Sequence, residues 1–107
     1  MSDKHRDTIE MLQRSYAMEL ETVINYLANS INLDGVRAEQ IKKSLADDIV
    51  EETQHAEQLG RRIKQLGGLL PGSAALAIGS QIQPPHDTTH VVGVIKGVIA
   101  AEEAACE

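Results

Sequence analysis

From about Lys4 to Ile31, apolar side chains recur at Ile9, Leu12, Tyr16, Val23, Tyr26 and Leu27, and Ser30 completes the row. Steps of three and four residues are the period of a helix with one buried face. One position of that row is charged: Glu19 falls between Tyr16 and Val23. The stretch Asn32-Leu33-Asp34-Gly35 carries turn chemistry and ends the helix. A second row, Ile41, Leu45, Ile49, Ala56, Leu59, Ile63 and Leu66, predicts a helix over about 36–66. Here Glu52 interrupts the apolar sequence on the same face, and Gly67-Gly68 supplies a stop signal. At ~1.5 Å per residue, helices of ~28–31 residues are ~42–46 Å long. Joined by so short a turn, they must pack antiparallel.

About 20 residues follow from Gly67 to Asp87, with all three prolines and several glycines. That is too long for a tight hairpin and predicts a crossover running along a bundle, with a short helical turn near 74–78. Pro84-Pro85 breaks any helix there. Asp87 is a good N-cap for a third helix beginning at Thr88-Thr89-His90. Its row is read as Val92, Ile95, Ile99, Glu102 and Cys106, again with a Glu at an apolar position. His86 and His90 flank this helix start and read as loop and first-turn residues.

Composition narrows the classes. The 107 residues hold 10 Lys+Arg against 16 Asp+Glu, a formal net charge of −6. That balance, with no basic cluster, argues against a nucleic-acid partner. Two aromatic residues, both Tyr, and no Phe or Trp fit helices better than sheets. A single Cys excludes a disulfide framework. No apolar run reaches the ~20 residues that span a bilayer. The N-terminus lacks the apolar stretch of a signal peptide. The expectation is a cytoplasmic helical domain with no membrane partner.

Three carboxylates on three apolar rows ask for a shared explanation. A buried, unpaired carboxylate costs several kcal/mol. One divalent or trivalent cation compensates several at once. Glu52 is followed at i+3 by His55, and residues at that spacing are neighbours on a helix surface. Glu-x-x-His facing a bundle core is the ligand pattern of di-iron and di-manganese carboxylate bundles. Glu51, Asp47 and Asp48 fall on the solvated face, and Glu21 turns away from the Glu19 row. Glu103, one step off the Glu102 row, is the second choice there.

The stretch Glu19-Leu20-Glu21-Thr22-Val23-Ile24-Asn25-Tyr26 resembles the first-helix motif of bacterioferritins and related ferritin-like proteins. Glu52-Thr53-Gln54-His55-Ala56-Glu57 resembles their second-helix motif, 52 − 19 = 33 residues after Glu19, and Ala101-Glu102-Glu103-Ala104 resembles the third. The resemblance covers most of the chain and is weakest from Gly67 to Asp87. It implies an all-α, ferritin-like four-helix bundle with two long antiparallel helices, a long crossover and the start of a third helix. It implies Glu19 as a terminal iron ligand, Glu52 as a bridge between two irons, His55 on the first iron and Glu102 on the second. Tyr26 would hydrogen-bond beside them. The implied cofactor is a di-iron centre, with manganese suiting the same donors.

Two departures stand out. Where bacterioferritins carry the axial haem Met, this chain has Thr53, which argues against haem. The fourth helix with its own Glu-x-x-His is absent from the 107 residues. The expectation is therefore one ferritin-like domain over 1–107, incomplete at its C-terminal side, whose missing ligands come from residues beyond Glu107 or a second copy. The expected activity is Fe(II) oxidation by oxygen or peroxide, with iron storage if a shell forms and homo-oligomerisation to close the open face. A rubrerythrin-like peroxide reductase uses the same ligands. A non-catalytic helical interaction module is the alternative from another class, although Lys and Arg are missing from the rows where its ion pairs would form.

Overall fold

The structure, a computed structural model, describes residues 3–76, 78, 79, 81 and 83–106, without the side chains of residues 3, 4 and 104–106. Three helices follow in order: α1 (Asp3–Asn32), α2 (Glu39–Gln65) and α3 (Val91–Cys106). Short 3₁₀ turns at Val36–Ala38 and Ser73–Ala75 complete the elements, and no strand occurs among the described residues. The long dimension, 53 Å against 25 and 21 Å, follows from the helical hairpin.

α1 stops where the sequence places turn residues. Leu33 N–H still reaches Asn29 O at 3.2 Å, and Gly35 then takes a φ of +98°, a left-handed conformation that a side chain would strain. The 3₁₀ turn Val36–Ala38 lies inside the span expected to be α2, so the regular helix starts three residues later. α2 ends in a Schellman arrangement: Gly67 N–H meets Lys64 O at 3.1 Å and Gly68 N–H meets Ile63 O at 2.9 Å. Gly68 is also packed tightly, since a Cβ there would lie 2.8 Å from Ile9 Cγ2.

The apolar row of α2 is buried or half-buried throughout, from Ile41 to Leu66. On α1 the row holds except at Leu27, which is exposed. Tyr26, Leu33, Ala38, Leu45 and Val94 form one core cluster at the end where α3 joins the hairpin, with Ile41, Ile49, Val91 and Val98 packed against it.

α3 corrects the expected row. Val94 and Ala101 are buried, while Val92, Ile95 and Ile99 are exposed. The stretch from Val91 to Ala101 is apolar on nearly every side, so periodicity does not choose its inner face; contact with Tyr26 and Leu45 does. The expected place of Cys106 in this row lies outside the described side chains. The helix also begins at Val91 rather than Thr88. Asp87 Oδ1 accepts from Thr89 N–H at 3.0 Å and Thr89 Oγ1 at 2.6 Å, which makes a separate turn before the helix.

The crossover travels along α1 in the same direction as that helix. Gln13 Nε2 donates to Leu69 O, Gln81 Nε2 donates to Met18 O and Thr22 Oγ1, and Asp34 N–H meets Thr88 O at 2.9 Å. Glu21 adds a feature that helical phase does not reveal. It does turn away from Glu19, but it is only 3% exposed, because the crossover covers it. Its Oε2 accepts the backbone N–H groups of Gly79 at 2.7 Å and Gln81 at 3.0 Å. No helix among the described residues is long and apolar enough to cross a membrane.

Candidate metal centre

The antiparallel hairpin sets Glu19 of α1 against Glu52 and His55 of α2. His55 Nδ1 lies 4.0 Å from Glu19 Oε2 and 3.9 Å from Glu52 Oε2. One ligand atom from each of the three residues falls within 4.8 Å of the others. Donors around an ion at about 2.0–2.2 Å stand about 3–4.4 Å apart, so this spacing fits one cation with little side-chain movement. The carboxylates are largely covered, 14% and 12% exposed at the side chain, while the imidazole is 52% exposed.

Glu19 carries the clearest electrostatic signature. Its Oε2 is buried and accepts no hydrogen bond from the described residues. Burial pushes its carboxyl above the usual range; His55 pulls the other way, and Glu102 adds a further upward push. An acidic oxygen without a donor, facing a second carboxylate and an imidazole, fits a cation in chemistry as well as spacing.

Glu102 stands apart from this group. The Tyr26 hydroxyl donates to its Oε1 at 2.7 Å, and the residue is otherwise exposed at the rim of α3. Tyr26 is 2% exposed, and burial first, then the bond to Glu102, pushes its hydroxyl well above the ordinary tyrosine value. The phenol therefore stays a proton donor. Glu103 is exposed.

Of the acidic residues assigned to solvent, Glu51 and Asp47 are exposed, but Asp48 is half-buried. Burial raises its carboxyl, helped by the charges of Glu102, Glu51 and Asp47. Its place one turn before Glu52, at i−4, is the signal that could have put it on the inner face. Thr53 uses its hydroxyl on Ile49 O at 2.7 Å.

Comparison with known proteins agrees with this frame. The ferritin-like domain family matches residues 9–107. The chain belongs to the ferritin-like family. It is similar to a bacterioferritin from Desulfovibrio desulfuricans, 32% identical over 66 residues, covering 62% of this chain and 37% of that protein. It is also similar to a DNA protection during starvation protein from Pyrococcus furiosus, 31% identical over 101 residues, covering 91% of this chain and 54% of that one. The chain thus spans roughly a third to a half of these curated relatives. A crystal structure described as ferritin-like, diiron-carboxylate proteins from Bacillus anthracis superposes with a TM-score of 0.83 at 25% identity, covering 98% of this chain and 70% of that one. The all-α ferritin-like architecture expected from the sequence is thereby established.

Proposed function

We propose that this ferritin-like chain binds iron through Glu19, Glu52 and His55 and takes part in oxidising Fe(II) to Fe(III), with oxygen or peroxide accepting the electrons. The observation that carries the reading is the buried, donorless Glu19 Oε2 beside His55 and Glu52. Iron is the substrate and, where it is retained, the cargo; manganese fits the same donors. Glu52 and Glu19 supply negative charge to a site shielded from water, and the half-exposed His55 marks the side from which an ion enters. Tyr26 orients the Glu102 carboxylate, which stands apart from this group, for a second metal position. Glu102 is the proposed ligand there, in preference to Glu103. Residues 1–107 act in this reading as one domain, and a cytoplasmic setting suits the chemistry.

Anaerobic Fe(II) loading followed by oxygen or peroxide tests it. Rapid formation of ferric absorbance in the native chain, lost in Glu52→Ala, supports the proposal. Equal rates in both refute it.

Self-association belongs to the same reading. Ile24, Leu27 and Ile31 share one exposed side of α1, and Ile95 and Ile99 lie exposed on α3. Apolar groups clustered this way mark interfaces. Light scattering should give a mass above that of one chain. A monomer at every concentration would contradict this part.

A further inference from the structure

Among its described residues the crossover buries its apolar surface only in part: Leu70 lies against Gly60 of α2, and Pro71 and Leu76 are half-buried. Leu69, Leu70 and Ile78 remain 72%, 44% and 46% exposed. Its hydrogen bonds hold it at three levels, two on α1 and one on the turn that follows it: Gln13 with Leu69 O, Glu21 and the Met18–Thr22 turn with Gly79 and Gln81, and Asp34 with Thr88. The middle level is the strongest. Glu21 Oε2 collects two backbone N–H groups, and the Gln81 side chain returns two bonds to the same helix turn. Bonds to a charged acceptor exceed neutral ones. Gly79, at φ +106°, turns the chain so that its N–H and that of Gln81 converge on one oxygen, as backbone amides do around a bound anion.

The same side of α1 stays polar beyond Glu21. Asn25 and Asn29 follow at steps of four and are 6% and 7% exposed, and Asn25 Nδ2 and Asn29 Oδ1 have no hydrogen-bond partner among the described residues. Their burial is a cost that hydration relieves. The hairpin draws on other residues: Ile9, Leu45, Ala56 and Ile63 are buried between α1 and α2 or at their ends. Segments with few buried apolar contacts and polar attachments open below the energy of global unfolding.

We infer that the crossover is a strap that docks on α1 and releases as a unit, clasped by Glu21 and Gln81, while the α1–α2 hairpin stays folded. A cleft of ≈ 410 Å³ lies between strap and helix, lined by Gln13, Arg14, Ala17, Pro71 and Leu76, and release takes away its strap-side wall. This inference stands on the clasp geometry alone and is independent of iron binding.

Hydrogen exchange read by mass spectrometry on the metal-free chain tests it, with Glu21→Ala, Glu21→Gln and Gln81→Ala beside the native sequence. In Glu21→Ala, amides over residues 76–88 should exchange at least about ten-fold faster, with interior amides of α1 and α2 unchanged. Glu21→Gln and Gln81→Ala should show smaller accelerations confined to the same stretch. Unchanged exchange over 76–88 in Glu21→Ala would overturn the inference. So would equal acceleration throughout the hairpin, or loss of the fold, because strap and hairpin would then be one cooperative unit.

Discussion

Glu19 and Glu21 stand two residues apart on one helix, both shielded from water, and their surroundings differ in kind. Glu21 faces the crossover and accepts two backbone N–H groups. Glu19 faces α2, where Oε2 meets another carboxylate and an imidazole and accepts no hydrogen bond from the described residues. Burial alone therefore does not mark a site. A buried charge with donors holds structure together, whereas one without donors stores free energy that only a cation or a proton releases. The largest expected effect breaks the pair by metal affinity. Glu19→Ala or Glu52→Ala should weaken Fe(II) binding by roughly 100-fold or more in anaerobic calorimetry, since losing even an outer partner of a ligand costs 10–100-fold. Glu21→Gln should stay within about three-fold of the native affinity. Equal losses at Glu19 and Glu21 would erase the distinction.

Stability of the metal-free chain should move in opposite directions at the two kinds of carboxylate. Glu21→Ala leaves two backbone N–H groups without their acceptor and should cost about 1–3 kcal/mol in urea unfolding. Glu52→Ala removes a charge that repels Glu19 and should gain about 1 kcal/mol. Destabilisation at Glu52 of the size seen at Glu21 would mean that Glu52 serves the fold rather than an ion.

Acidity sharpens the contrast further. The folded Glu19 carboxyl lies above its ordinary 4.5. Between those two values the native state holds more protons than the unfolded chain, so the Glu19 contribution favours the metal-free fold as pH falls through the raised value. Iron binding needs the carboxylate and weakens over that same range. The native chain minus Glu19→Gln should show both trends in melting temperature, rising on acidification without metal and falling with it. A difference curve flat with pH would contradict the raised carboxyl.

The smallest effect concerns α3. Val94→Ala should cost about 2 kcal/mol, because a side chain 2% exposed leaves a cavity against Tyr26 and Leu45. Ile95→Ala should stay within about 0.5 kcal/mol in a monomeric preparation, since Ile95 is 42% exposed. Reversed magnitudes would restore the inner face that the sequence suggests.

The two long helices were legible because their rows alternate with charged residues, so the period has one solution; Leu45, Ala56 and Ile63 sit where it puts them. That Glu19 and Glu52 share an inner face was legible as a fault in each row, and His55 beside them followed from its i+3 step after Glu52; the structure brings the three together. α3 was not legible, because its Val, Ile and Ala surround the helix and only contact with the hairpin chooses a side. Asp48 was misread, and the covering of Glu21 was not legible, for a related cause. Helical phase says which way a carboxylate points on its own helix, and nothing of the crossover that covers Glu21 or of Glu102 arriving from α3 near Asp48.

The central claim is that Glu19, Glu52 and His55 hold one iron ion between α1 and α2. Anomalous diffraction at the iron edge, from crystals soaked anaerobically with Fe(II), tests it most directly. The account predicts a peak about 2.0–2.2 Å from a carboxylate oxygen of Glu19, a carboxylate oxygen of Glu52 and an imidazole nitrogen of His55. Iron bound elsewhere on the chain, with these three side chains unmoved and no peak between them, would contradict it.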